Sequence, residues 1–393
     1  MPLAATVHRT LESVSALSGE WAALHASSGS RLPFNGPEFA LTWLQHFTGP
    51  DDVPVVFEVR DGPRLVGMAP YYQHRMRGGL SRLQPVGTGL EWIGPYEVPA
   101  MLAEAGRGRE VARAVVQEMC REPVAWDWVN VALGEAAPWF EPEWLPDPDF
   151  TFLVKHLVGA VVLDLTGGPV EELLFGRRNV KESIRRAKNR LNSAYGSEGW
   201  SVARVTGPAE VSEALTRLVR LHESRSKAQT HREHHVNVFE SPAVLTYLRD
   251  VVGQLAERRM VSIYELRAGE ERLASQLIWH TQTASYSSVS GISEAGWPFS
   301  PVTYLQWSAI QDAHAAGHRE MNLSIGPNQA KLRWTNEVRY FPDFVVVGPR
   351  RRSKGAYPGA HLWSALSAYR EAVRTRERPD GHRQPPAAPS GEK

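Results

Sequence analysis

The spacing of apolar and polar positions changes repeatedly along the chain, most clearly between Met260 and Trp334. Three runs come first: MVSIYELRAG, ERLASQLIWHT and ASYSSVSGIS. Each is rich in β-branched or aromatic residues and bounded by Gly, Glu or Thr turn material, so three strands are predicted. Val302, Leu305, Ala309, Ala313 and Ala316 then recur at helical spacing. Ser300 is placed to cap that helix, Pro301 suits a first position that needs no N–H, and Gly317 suits its end. Met321, Leu323 and Ile325 next alternate with Asn322 and Ser324, as in a buried strand. A second helix opens at Gly326-Pro327 and carries Lys331, Arg333 and Trp334.

The same order is foreshadowed earlier in the chain. Leu11, Val14, Leu17 and Trp21 have helix-like spacing, and SRLPFNGPEF breaks the pattern before a short helix from about Leu41 to Phe47. PVVFEVRDGPRLVGMAPYYQ reads as a hairpin turning at Asp61-Gly62. An irregular strand region follows (SRLQPVGTGLEWIGPYEVPAM), then the amphipathic helix GREVARAVVQEMCRE and the buried strand AWDWVNVALG. Hairpin, strand, helix and strand therefore occur twice, which predicts a duplicated fold whose first copy is degenerate. WFEPEWLPDPDF marks a boundary near residues 137–150. The expected organisation is 1–150, then 151–375, then a Pro-rich, charged and disordered tail over 376–393. In the second part, KHLVGAVVLDL reads as a strand and RRNVKESIRRAKNRL as a basic helix striped by Val180, Ile184, Ala187 and Leu191. Helices are expected near 208–228 and 242–257, terminal strands at RYFPDFVVVG and a closing helix at HLWSALSAYREAVR.

Composition narrows the class. A chain of 393 residues is long for one core, so two domains are the default. Hydrophobic residues make up 42% and charged residues 22%, the balance of an ordinary soluble protein. No run approaches the roughly 20 apolar residues of a membrane span, and the N-terminus lacks an apolar signal core, so a cytoplasmic location and no membrane partner are expected. The single cysteine, Cys120, rules out an internal disulfide or a Cys-rich zinc site and reads as a buried helix residue. A formal net charge of +1 leaves nucleic-acid binding to local charge.

The stretch SPVTYLQWSAIQDAHAAGHREMNLSIGPNQAKLRW resembles the CelD-like (cellulose-biosynthesis-type) acetyltransferases of the GNAT superfamily. Their pattern is a small residue and Pro before a helix, Ala-x-x-Gly at its end, a strand, Gly, then Lys-x-x-Trp. RLASQLIWH is similar to a strand of that family, and Trp21 to Phe47 resembles its opening. The resemblance spans most of residues 10–345. Its features are shared by the Fem-type aminoacyl-tRNA-dependent transferases, which duplicate the GNAT fold. It implies an α/β tandem GNAT-like fold with mixed, mostly antiparallel sheets flanked by helices, and a site in the second copy. The implied activity transfers an acyl group, most simply acetyl, from acetyl-CoA or another acyl-CoA to the amine of a small-molecule acceptor by direct attack, with no metal. Two alternatives stay open: a Fem-type transferase using aminoacyl-tRNA to build an amide bond, and a non-catalytic binding protein.

The candidate residues follow from this pattern. The N-terminus of the 301–316 helix, at Ser300, Val302, Thr303 and Tyr304, suits an anionic group of the donor, and Lys331 can pair with one. Pro298 and Pro301 remove two N–H donors from a loop that is Gly-rich in the family. By resemblance, His280 and Tyr286 lie near the acyl group and are catalytic candidates with Glu223, while His222, Arg225, Asn322 and Trp334 face the substrate. On the basic helix, Arg178, Arg185 and Arg186 are candidates for contact with tRNA, or else one solvated face of a helix. HREHH offers His231, His234 and His235, but not in a zinc spacing, and no second ligand cluster follows. Acceptor identity and oligomeric state are encoded in no short motif.

Overall fold

A computed structural model describes residues 3–88, 97–121, 125–175, 178–227 and 237–376. The first half begins with β1 (Ala4–His8), α1 (Leu11–Ser15), α2 (Ser18–Ser27) and α3 (Pro37–Phe47). It continues with β2 (Asp52–Asp61), β3 (Arg64–Arg75), β4 (Ser81–Pro85), β5 (Leu102–Ala103), α4 (Gly108–Met119) and β6 (Trp128–Ala132). A long strand, β7 (Thr151–Asp164), leads to α5 (Val170–Phe175), α6 (Arg178–Tyr195) and β8 (Trp200–Val205). Then come α7 (Pro208–Lys227), α8 (Pro242–Glu257), β9 (Val261–Ala268), β10 (Glu271–His280) and β11 (Ala284–Ile292). The chain closes with α9 (Pro301–Ala315), β12 (Glu320–Ile325), α10 (Gln329–Leu332), β13 (Val338–Val347) and α11 (Arg351–Arg376). The HREHH histidines, Arg177 and the tail beyond 376 lie outside the described residues. No described helix is long and apolar enough to cross a membrane.

All strands among the described residues form one 13-stranded sheet, in the order β1-β2-β3-β4-β6-β13-β7-β12-β11-β10-β9-β8, with β5 beside β3. Read from its two ends, the order is the same: three antiparallel neighbours, a fourth strand, then a parallel partner reached through a helix. β4 is parallel to β6 across α4, and β11 is parallel to β12 across α9. The fold is thus a tandem GNAT-like α/β fold. At the centre, β7 follows the first half but pairs with β12 of the second, while β13 ends the second half but pairs with β6 of the first. β7 and β13 also pair along ten registered positions, with one register shift between Asp343 and Phe344, so the halves are joined through backbone pairing.

Local sequence explains these elements. Gly62-Pro63 makes the β2–β3 turn between the paired Asp61 and Arg64, one residue on from the expected Asp61-Gly62, with Gly62 at φ 59° where a side chain would be strained. Val111, Ala112, Val115, Val116 and Met119 form the buried stripe of α4. The face of the sheet under α7 and α8 shares one core with α2 and α3, including Trp21, Phe34, Phe39, Tyr247, Trp279 and Tyr286. The opposite face of the second half packs α6 and α9 on Ile278, Met321 and Leu323. Phe34 meets Tyr286 edge-on at 5.0 Å, and Phe39 meets Trp279 at 5.3 Å.

Candidate active site

The site begins with a gap in the sheet. β11 and β12 pair only at Ala284–Glu320, Ser285–Met321 and Tyr286–Asn322, although β11 runs on to Ile292. Beyond Tyr286 the β11 edge that faces β12 loses its partner strand. On β12 the regular backbone fails at the same level: its pairing with β7 shifts register between Asn322 and Ile325, and Ser324 takes a left-handed φ of 76°. A non-glycine residue held there stores strain, and such strain clusters at functional sites.

A carboxylate from the first half occupies this gap. Oε2 of Glu97 accepts hydrogen bonds from the Tyr286 hydroxyl at 2.5 Å, the Ser324 hydroxyl at 2.6 Å and the Ile325 N–H at 3.4 Å. Burial pushes the Glu97 carboxyl above the ordinary carboxylate range, against the pull of those donors and of nearby Lys331. Among the described residues, its Oε1 makes no hydrogen bond. Tyr286 is fully buried, and burial together with the Glu97 charge lifts its phenol well above 10, so it stays a neutral donor. Asn322 points to the same face; its Oδ1 accepts from the Ser324 N–H at 2.9 Å, while its buried Nδ2 has no partner among the described residues.

Positive charge gathers beside the start of α9. Arg333 Nη2 donates to Thr303 Oγ1 at 2.7 Å, and Arg190 Nη1 donates to the Pro298 carbonyl at 2.9 Å. Lys331 donates from Nζ to the Ile325 carbonyl at the lip of the gap, and burial lowers the affinity of both Lys331 and Arg333 for their protons. Ser300 precedes the helix as expected, but at φ 52° and with no side-chain capping bond; its carbonyl accepts the Thr303 N–H instead. Val302 is half-buried, and Tyr304 packs edge-on against Trp200.

The remaining candidates scatter. His280 lies on the opposite face of the sheet from Tyr286, in a buried chain in which its Nε2 meets Ser262 Oγ at 2.8 Å and its Nδ1 meets Ser285 Oγ at 3.0 Å. His222 Nδ1 meets the Ser290 carbonyl at 3.0 Å, and its Nε2 accepts the Val238 N–H at 3.3 Å, so it ties α7 to β11. Arg225 donates to Ser290 Oγ at 2.9 Å, and the Glu223 carbonyl accepts from Ser226. Trp334 is buried beneath the Arg333 guanidinium. Arg185 and Arg186 are exposed and share Glu182, while the side chain of Arg178 lies outside the described residues. Among the described residues, no cluster of His, Cys, Asp or Glu could hold a metal ion. The structure therefore brings Tyr286, Asn322 and Lys331 together, and adds Glu97. Sequence reasoning missed Glu97 because it sits in the aperiodic run GPYEVPAM; its signal was one acid in an otherwise apolar stretch.

Residues 178–332 match the Acetyltransferase (GNAT) domain family. No curated protein matches the sequence. Among solved structures, FemX is similar over 87% of this chain and 96% of its own, at 10% identity and a TM-score of 0.56. A conserved protein of unknown function from Bacteroides thetaiotaomicron VPI-5482 is similar over 87% of this chain and 99% of its own, at 11% identity and a TM-score of 0.51. The C-terminal DUF2156 domain of an Agrobacterium fabrum protein gives 90%, 96%, 12% and 0.51 for the same quantities. At these identities the likeness is one of fold. The family match runs from α6 to α10 and contains the β11–β12 gap.

Proposed function

We propose that this protein is an N-acyltransferase that moves an acyl group, acetyl in the simplest case, from a CoA thioester to the amine of a small molecule or biosynthetic intermediate. The observation that carries the reading is the Glu97 carboxylate seated where β11 and β12 part. An ammonium acceptor must lose a proton before its nitrogen can attack, and Glu97 Oε1 is the group positioned to take it. Burial makes that carboxylate a stronger base than an exposed glutamate. The amine nitrogen then bonds to the thioester carbon, the C–S bond breaks, and the nitrogen's second proton passes to the departing sulfur, which leaves as the free thiol of CoA. Backbone N–H groups on the edge of β11 beyond Tyr286, where its pairing with β12 has ended, would polarise the thioester carbonyl. Arg190, Lys331 and Arg333 supply positive charge for the phosphates of the donor beside the start of α9.

A second reading, transfer from aminoacyl-tRNA, is favoured by the exposed Arg185 and Arg186 and by the two prolines in the loop before α9. One assay separates the two: release of free thiol from acetyl-CoA in the presence of a panel of amines, run beside amide formation from aminoacyl-tRNA. The first reading expects amine-dependent thiol release, reduced about 10²–10⁴-fold in Glu97→Gln with acetyl-CoA binding retained. Amide formation from aminoacyl-tRNA without thiol release establishes the second. Binding of neither donor leaves a non-catalytic binding protein.

A further inference from the structure

Away from the β11–β12 gap, at the other end of β12, a cavity of about 460 Å³ opens on the seam between the halves. Arg31 of the first half lines it with Asp164, Arg319, Glu320, Glu337 and Arg339 of the second. Part of this charge is internally matched. Arg339 grips Glu320 with two bonds of 2.8 and 2.6 Å, and Arg31 bridges Glu135 at 2.9 Å and Glu320 at 3.3 Å.

Two charges are left over. Among the described residues, neither the Arg319 guanidinium nor the Glu337 carboxylate makes a hydrogen bond or ion pair; they act only at longer range, on Asp164 and Arg339 respectively. The backbone holds them on opposite sides of β7, because the Arg319 carbonyl accepts the Leu165 N–H and the Glu337 carbonyl accepts the Val162 N–H. Two strand spacings, roughly 10 Å, separate their main chains. The Arg319 N–H donates to the Thr283 carbonyl, which fixes the backbone from which its guanidinium reaches the cavity. Thr166 satisfies one oxygen of Asp164 with two bonds, and the other remains open to a cation.

The geometry points to a binding site for a small zwitterion, its carboxylate held by Arg319 and its ammonium by Glu337 and Asp164. This site is independent of acyl transfer and would be present even if the chain transferred nothing. Opposite unpaired charges in one cavity disfavour a purely anionic or purely cationic ligand, since each leaves one of them unmatched.

The test is calorimetric titration of the full chain with glycine, β-alanine and 4-aminobutyrate, zwitterions of increasing charge separation. Acetate and methylamine serve as single-charge controls. At least one zwitterion is expected to bind tenfold or more tighter than either control. Arg319→Ala and Glu337→Gln, both surface changes, should each weaken that binding at least tenfold while leaving the thermal midpoint without ligand unchanged. Zwitterions that bind no better than the controls, or binding indifferent to both substitutions, overturn the proposal.

Discussion

The Tyr286 hydroxyl donates to Glu97 Oε2 at 2.5 Å, so the strand that borders the gap in the second half is bonded to a carboxylate supplied by the first. Removing that donor in Tyr286→Phe takes away one of the interactions favouring the charged carboxylate. The Glu97 pKa, already raised by burial, should rise further. Because activity needs the carboxylate, the acidic limb of the kcat/KM profile should move to higher pH, with about a tenfold loss at neutral pH. A profile in Tyr286→Phe whose limb stays in place would show that the pair has no part in proton transfer.

Arg333 touches Thr303 in the first turn of α9 but makes no contact with Glu97 among the described residues. Arg333→Ala should therefore weaken donor binding without altering proton transfer. The expected result is a rise of about tenfold in KM for the acyl donor, with kcat nearly unchanged, the mark of binding lost equally in ground and transition states. A fall in kcat at constant KM would place Arg333 in the chemistry instead.

Much of the architecture was legible because it rests on local pattern. The buried Leu305, Ala309 and Ala313 of the expected α9 stripe, Gly317 closing the helix at φ 77° and the alternation in β12 are set by residues within one element, whereas Val302 is half-buried and Ala316 is exposed at the helix end. So was the repeated order of elements, and with it the duplicated fold. Exchange of the central strands was not legible: Val158 to Val162 and Phe344 to Val347 read as strands, but nothing in them names a partner. The site divides in the same way. Tyr286 and Asn322 lie on strands whose faces follow from alternation, whereas Glu97 reaches them across 189 residues of chain. Ser300 shows the limit of a local rule, since its left-handed backbone turns the hydroxyl away from the capping position that composition favours.

Stability should fall in mild acid, and two histidines set the direction. Burial lowers His25 to about 4 and His280 to about 3, from an ordinary 6.5. Below pH 6.5 the unfolded chain takes up protons at these sites while the folded chain does not, so their contribution is whole above 6.5 and is lost as pH falls toward 4. Glu97, shifted upward, works in the opposite sense above its ordinary 4.5. The two histidines together should cost about 2 kcal/mol between pH 6.5 and 5.5, and Glu97 offsets part of this, so the net loss should be smaller but of the same sign. Urea midpoints at the two values check this, and His280→Gln should remove about 1 kcal/mol of the loss if His280 is held neutral.

His222 resembles a substrate ligand in sequence, but its two ring nitrogens are both engaged, by the Ser290 carbonyl and the Val238 N–H. The helix can hold that position only because β11 offers no side chain at Gly291, where an added Cβ would stand 2.5 Å from the His222 nitrogen and 2.6 Å from Leu221 Cβ. Backbone at that distance cannot be displaced cheaply. Gly291→Ala is expected to cost about 1–3 kcal/mol, and His222→Ala a similar amount through two unsatisfied buried groups. Both act by moving α7 relative to β11, so the double variant should lose less than the sum of the two. Denaturation of the four proteins measures the coupling. Strict additivity would mean that His222 does not act through this crossing, and would return it to the list of residues that meet substrate.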